Sequence, residues 1–200
     1  LAFIPVKTVR YIALTLLFFV WGILSAKQIL WAGETLTGAT QDAIVEITGP
    51  DGVRRIPIHD FYIKAGVVDL KPAEIQTAII IPKEAYEGYH GHYIKYAMRN
   101  AMDIATTGCS VNVKLSEDKK TIKDVRIAYG VAGPVPMRAQ AKGKPLTKAV
   151  VHEFGQAVLE DINPRDSWRA SKAFRQHIAT VLAERALTES IRLAGGVIDE

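Results

Sequence analysis

From Asp42 to Gly130 this chain reads as strands and turns, and from Thr147 to Gly196 it reads as two helices. No other feature constrains its fold as much. Strands interleaved with helices build a parallel sheet with helical crossovers. Strands first and helices after build an antiparallel sheet with the helices gathered on one side. The strand half opens on "DAIVEIT", Asp42 to Thr48, where apolar and polar residues alternate. "GPDG", Gly49 to Gly52, is turn chemistry: proline presets one φ, and the Asp–Gly pair tolerates φ > 0. "VRRIPI" then returns, so 42–58 reads as a hairpin. "IQTAIIIP", Ile75 to Pro82, is a β-branched run that predicts a partly buried strand ended by its proline. A loop rich in Gly, Tyr and His follows, Lys83 to Gly91. Three further strands are expected, at 92–98, about 104–115 and about 122–130. "SEDKK", Ser116 to Lys120, is a polar turn between the last two.

The helical half begins after Thr147, a residue type that caps helix N-termini. Val151, Phe154, Val158 and Leu159 fall at i, i+3, i+7 and i+8, one face of a helix of about three turns. "NPRDS", Asn163 to Ser167, breaks that pattern. A second helix is expected from near Asp166 or Ser167, with Phe174, Ile178, Val181, Leu182 and Ile191 at helical spacing and Gly195–Gly196 as its C-terminal stop. The fold class is therefore α+β: a small antiparallel sheet packed against C-terminal helices, with an apolar N-terminal helix. Hydrophobic residues at 48% and charged residues at 23% of 200 are what a packed core requires.

Residues 1–41 differ in kind. "YIALTLLFFVWGILSA", Tyr11 to Ala26, has no charged residue in 16 positions, and Lys7, Arg10 and Lys27 flank it. Three readings stand: a frameshifted or truncated gene start, a membrane anchor through residues 8–31, and a signal peptide.

The remaining motifs are weak. A net charge of +4 is spread along the chain, which describes a solvated surface and no nucleic-acid footprint. The single cysteine, Cys109, excludes an internal disulfide and suits a reducing compartment. Between Gly108 and Ser110 in a strand it reads as a buried, inert thiol. His90 and His92 share one face of a strand, with no ligand set at metal spacing except Glu87. His59 and Asp60 point opposite ways on a strand and make no catalytic pair. Arg165, Arg169 and Lys172 would share the face of a helix, with Arg175 beside them, as a solvated basic stripe or, alternatively, a phosphate or partner surface. Lys95 is the anomaly. On the strand 92–98 it shares a face with Tyr93 and Ala97, opposite Ile94, Tyr96 and Met98. A lysine there is either an edge guard or a cation aimed at an electron-rich ligand.

Three blocks carry a resemblance: "YIKYAMRNAMDIATTGCSVNVKL", "IKDVRIAYGVAGPVPMRAQ" and "INPRDSWRASKAFRQHIATVLAERAL". In order and spacing they resemble the FAD-binding subunit of the bacterial molybdenum hydroxylases, xanthine dehydrogenase in particular. The likeness runs from about Asp42 to about Gly196. It implies a first segment, 1–41, unlike the family; 42–70 as the tail of an FAD-binding subdomain; and 71–200 as the C-terminal domain of the CO dehydrogenase flavoprotein type. It implies FAD as the cofactor, with molybdopterin and iron–sulfur clusters on partner subunits. Electrons would pass from a purine at molybdenum, through the clusters and FAD, to NAD, in the cytoplasm. By the same resemblance Lys95 stands beside the flavin ring and Ile75 packs near it, while Gln76 departs from the family's leucine. No catalytic or metal-binding residue is implied. Arg99 and Asp103 are expected to be a strand-end ion pair. The family's glycine-rich phosphate-holding loops have no counterpart here, so the isolated chain is expected to hold FAD weakly or not at all and to be inactive. The competing expectation is a non-enzymatic, membrane-tethered or assembly module that keeps the partner surface without the flavin.

Overall fold

The structure is a computed structural model that describes residues 39–64, 66–99, 102–133, 137–141 and 144–199. The apolar run Tyr11–Ala26 lies outside them. In chain order the elements are β1 (Ile44–Gly49), β2 (Gly52–Pro57), α1 (Ile58–Phe61), β3 (Tyr62–Lys64), β4 (Val67–Val68) and β5 (Ile75–Ile80). Then follow α2 (Lys83–Tyr86), β6 (His90–Tyr96), β7 (Thr107–Leu115), β8 (Ile122–Gly130), β9 (Met137–Ala141), α3 (Lys148–Ala157), a 3₁₀ turn (Val158–Glu160) and α4 (Lys172–Leu193). Every strand pair is antiparallel. The expected α+β segregation holds: a four-stranded sheet ordered β6-β7-β8-β9 precedes the long helices. Among the described residues no helix is long and apolar enough to cross a membrane.

The alternation of β7 and β8 decides which face is buried. Cys109, Val111 and Val113 pair with Tyr129, Ile127 and Val125 on one face, and these six are buried in one cluster with α3 and α4. Helix α4 supplies Ala179, Leu182, Ala183, Ala186, Leu187 and Ile191. Its alanines let the helix axis approach the sheet, and two polar groups use that closeness. Tyr129 donates its hydroxyl to the Ala179 carbonyl at 2.7 Å, and Ser190 donates to the Val111 carbonyl at 3.0 Å. Thr147 caps α3 as expected, accepting from the Val150 amide, and Gly195, at φ +79°, stops α4.

A second, three-stranded sheet, β2-β1-β5, carries the hairpin read from the sequence. Its inner face (Val45, Ile47) packs on Ile58 and Phe61. Arg54 ties β2 to the loop before β5, donating to Asp69 and to Glu74. That guanidinium holds the Glu74 carboxyl down at about 2.

The structure departs from the sequence reading at identifiable places. Helix α4 starts at Lys172, later than Asp166 or Ser167. Ser167 and Ala170 close a bridged turn instead, the Asp166 carboxylate accepts from the Lys172 amide, and Ser171 caps Phe174. Arg165, Arg169 and Lys172 therefore share no helical face. Phe174, one of the apolar positions at helical spacing, is 40% exposed, its ring 6.1 Å from that of Tyr96. Strand β6 begins two residues early, at His90, and β7 begins at Thr107. The reason for the latter is the Asp103 carboxylate, which gathers the Arg99 and Ile104 amides into a loop. His59 and Asp60 lie in the short helix α1, not on a strand. Strand β9, "MRAQA", has no β-branched alternation to announce it.

Candidate functional site

The face of the four-stranded sheet turned away from the helices holds the residue that the sequence singled out. Ile94 and Tyr96 pack against the helix-side core, so Tyr93 and Lys95 point to the other side. Lys95 pairs with Gly108, and Gly108 with Gly130. The row beside the lysine therefore has no side chain across two strands. The next row is Tyr93, Ser110 and Ala128, again small beyond the tyrosine. A β-sheet face seldom gives up this much side-chain volume. Lys95 itself is exposed, and its Nζ donates to the Asp103 carbonyl at 2.5 Å. The Asp103 carbonyl thus holds the ammonium at the rim of the bare row. Arg99 and Asp103 brace the loop after β6, as an ion pair of 3.9 Å and an amide–carboxylate bond of 3.0 Å. At the base of the same loop the Thr106 hydroxyl is buried without a partner.

Ile75 lies on a different sheet. It pairs with Thr48 across β5 and β1 and is 63% exposed, an isoleucine turned outward. Gln76 pairs with Ile47. A bulge in the β1–β5 pairing after Glu46 sets this alternation. Cys109 is fully buried, and burial pushes its thiol up to about 12, so it is no nucleophile. His90 and His92 do share a strand face, and no set of three His, Cys, Asp or Glu able to hold a metal occurs among the described residues.

Sequence reasoning missed a polar cluster on the same outer face. Asn112 donates to the Thr40 hydroxyl at 3.0 Å, both residues being buried. Arg126, paired with Asn112 across the strands, reaches Asp42 and Asp124 at 2.8 and 3.2 Å. Its guanidinium also lies 4.6 Å from the centre of the Tyr89 ring. Tyr89 donates to Asp124 at 2.5 Å, and burial raises its phenol to about 12. This cluster straps residues 39–42 over part of the sheet, with Ala39 on Ala128 and Tyr93. The available signal was a cross-strand polar pair, Asn112 and Arg126, inside strands otherwise rich in valine and isoleucine.

The described residues thus form an antiparallel sheet with its helices gathered on one face and Lys95 at the rim of the other. Residues 92–190, just under half of the chain, match the CO dehydrogenase flavoprotein C-terminal domain. The chain is 39% identical over 181 residues to the "Xanthine dehydrogenase FAD-binding subunit" of Escherichia coli O157:H7, a match covering 83% of this chain and 61% of that protein. The chain thus spans under two thirds of that relative. The solved structure of carbon monoxide dehydrogenase from Hydrogenophaga pseudoflava, lacking the Mo-pyranopterin moiety of its molybdenum cofactor, superposes with a TM-score of 0.70. That likeness is at 26% identity, over 78% of this chain and 55% of that one. A 53-residue stretch, 26% of the chain, is 94% identical to "Uncharacterized protein YcaI" of E. coli K12, of which it covers 7%.

Proposed function

We propose that this chain is the C-terminal part of the flavin subunit of a xanthine-dehydrogenase-type molybdenum hydroxylase. In this reading it works in the cytoplasm beside a molybdenum-binding subunit and an iron–sulfur subunit. Electrons released by oxidation of a purine arrive through the clusters, and NAD takes them away. FAD, when bound, supplies the two-electron acceptance and the hydride donation. The observation that carries the proposal is Lys95 at the rim of the Gly108–Gly130 row. The bare row lets a planar ring lie against backbone. The ammonium stands where it would stabilise negative charge gathering on that ring. Ile75, exposed on the second sheet, would supply an apolar contact. The described residues fit the ring end of FAD and offer no glycine-rich cradle for its pyrophosphate.

The domain reading goes with this: residues 1–41 an apolar segment unlike the family, from a frameshift, an anchor or a signal, 42–70 the remnant of an FAD-binding subdomain, and 71–200 the flavoprotein domain. Sequencing the coding DNA in all three frames upstream of residue 42 tests that part. A glycine-rich flavin-binding half in another frame is the outcome expected of a frameshift.

The flavin reading is tested by titrating the purified chain with FAD and following flavin fluorescence. Weak, saturable binding is expected, with Lys95→Ala weakening it about tenfold, the scale of one charge-assisted contact. Equal affinity of the two proteins would remove Lys95 from the site. No binding by either, at millimolar FAD, would favour the assembly-module reading.

A further inference from the structure

One end of the four-stranded domain is exposed, apolar and basic at once. Residues 97–99 and 102–104 present Met98, Met102 and Ile104, with Met102 96% exposed. The turn 163–171 presents Trp168, 85% exposed. Phe174, at the start of α4, joins the two through its contact with Tyr96. Large apolar side chains concentrated in this way mark an interaction surface. Methionine, tryptophan and arginine are also the residue types enriched at protein interfaces.

The charges point to what covers it. Arg175 is 3% exposed, and its Nη atoms donate to the Arg165 carbonyl and the Ser167 hydroxyl. Its Nε is buried with no partner. Burial, and then the nearby Arg165 and Arg169, lower its pKa. Only Asp166 acts in the opposite sense, and that carboxylate already accepts from the helix N-terminus. Arg169 lies flat on Trp168 at 4.2 Å, with no carboxylate in ion-pair distance among the described residues. Arg99 pairs with Asp103 at 3.9 Å, and that carboxylate is also spent on backbone amides. Arg165, Arg169 and Arg175 against the single, already occupied carboxylate of Asp166 leave an excess of positive charge at this turn among the described residues.

We propose that this end of the domain is the docking face for an acidic-rimmed protein surface, that of the subunit which delivers electrons to the flavin. The inference rests on the function proposed above and adds the surface through which that subunit is met. Trp168 is the anchor, and Arg165 and Arg169 meet the partner's carboxylates. The same loop that holds Lys95 also forms the edge of the docking face. Docking would therefore press on the rim of the proposed flavin row.

The test uses the full chain, immobilised, with the remaining purified subunits of the E. coli O157:H7 xanthine dehydrogenase as analyte. Binding is expected to weaken at least tenfold between 50 and 300 mM salt, which is ordinary screening of charge pairs. Trp168→Ala is expected to weaken it about thirtyfold, a typical loss for an interface anchor. The double variant Arg165→Glu, Arg169→Glu should abolish it. Arg55→Glu, on the other sheet, should leave binding unchanged. Circular dichroism excludes unfolding of these surface variants. Absence of binding by the wild-type chain overturns the proposal, as does equal binding by all variants. Binding to phosphatidylserine vesicles in place of the subunits would overturn it in favour of a lipid surface. FAD affinity measured in the same samples keeps the readings apart. Flavin bound with partner binding indifferent to Trp168 sinks the docking face alone, and loss of both sinks the flavin reading.

Discussion

At the scale of single residues, the outer sheet face works because certain positions lack side chains. Gly91 is the clearest case. It pairs with Asn112, and a Cβ at Gly91 would stand 1.8 Å from the Asn112 Oδ1. Glycine there lets the amide lie flat across β6 and reach Thr40. Gly91→Ala must push Asn112 out of that bond, and overpacking of this kind costs about 1–3 kcal/mol. A urea midpoint lowered accordingly, with the slope unchanged, is the expected result. An unchanged midpoint would mean that Asn112 has somewhere else to go. The sequence "HGH" drew attention to its histidines, yet the glycine between them is the constrained residue. Cys109 was legible from the start as a buried thiol, because a small apolar strand flanked by glycine and serine offers no activating base.

At the scale of elements, α4 shows why period and boundary are read with different success. The buried positions 182, 187 and 191 repeat at helical spacing and need no partner to be seen. The start of the helix is decided elsewhere. Arg175, inside the first turns, reaches back to the Arg165 carbonyl and the Ser167 hydroxyl. That back-reach holds 165–170 in a turn, and Ser171 takes over as the cap. Ser171→Ala is expected to cost about 1 kcal/mol. Hydrogen exchange should quicken at the amides of residues 172–175 more than at the helix centre. Uniform quickening along α4 would show that the cap is not local to that end. Strand β9 was invisible for a related reason. An edge strand without β-branched alternation is specified by the neighbour it pairs with, here β8.

At the scale of the whole molecule, the segment 39–42 lies across the outer face of the larger sheet. The contact is polar at its centre: Asn112 to Thr40 and Arg126 to Asp42. Asn112→Ala leaves the Thr40 hydroxyl, fully buried, without that donor. Losing one buried hydrogen bond costs about 0.5–1.5 kcal/mol. The strap should loosen as well, seen as faster proteolysis near residue 42 with the helix-packed core still protected. Equal cleavage rates in the two proteins would show that the apolar seat of Ala39 holds the strap alone.

The sequence by itself determined the class of fold, the hairpin, the helix faces, the inert cysteine and the suspicion attached to Lys95. Each is written in local periodicity or in the chemistry of one residue. The tertiary structure decided what Lys95 has beside it. Gly108 and Gly130 are far apart along the chain, and only strand pairing makes them one bare row. It also decided that Arg165, Arg169 and Arg175 crowd a turn beneath Trp168 and share no helical stripe. Register and back-reaching side chains join distant residues, and no local pattern encodes those distances.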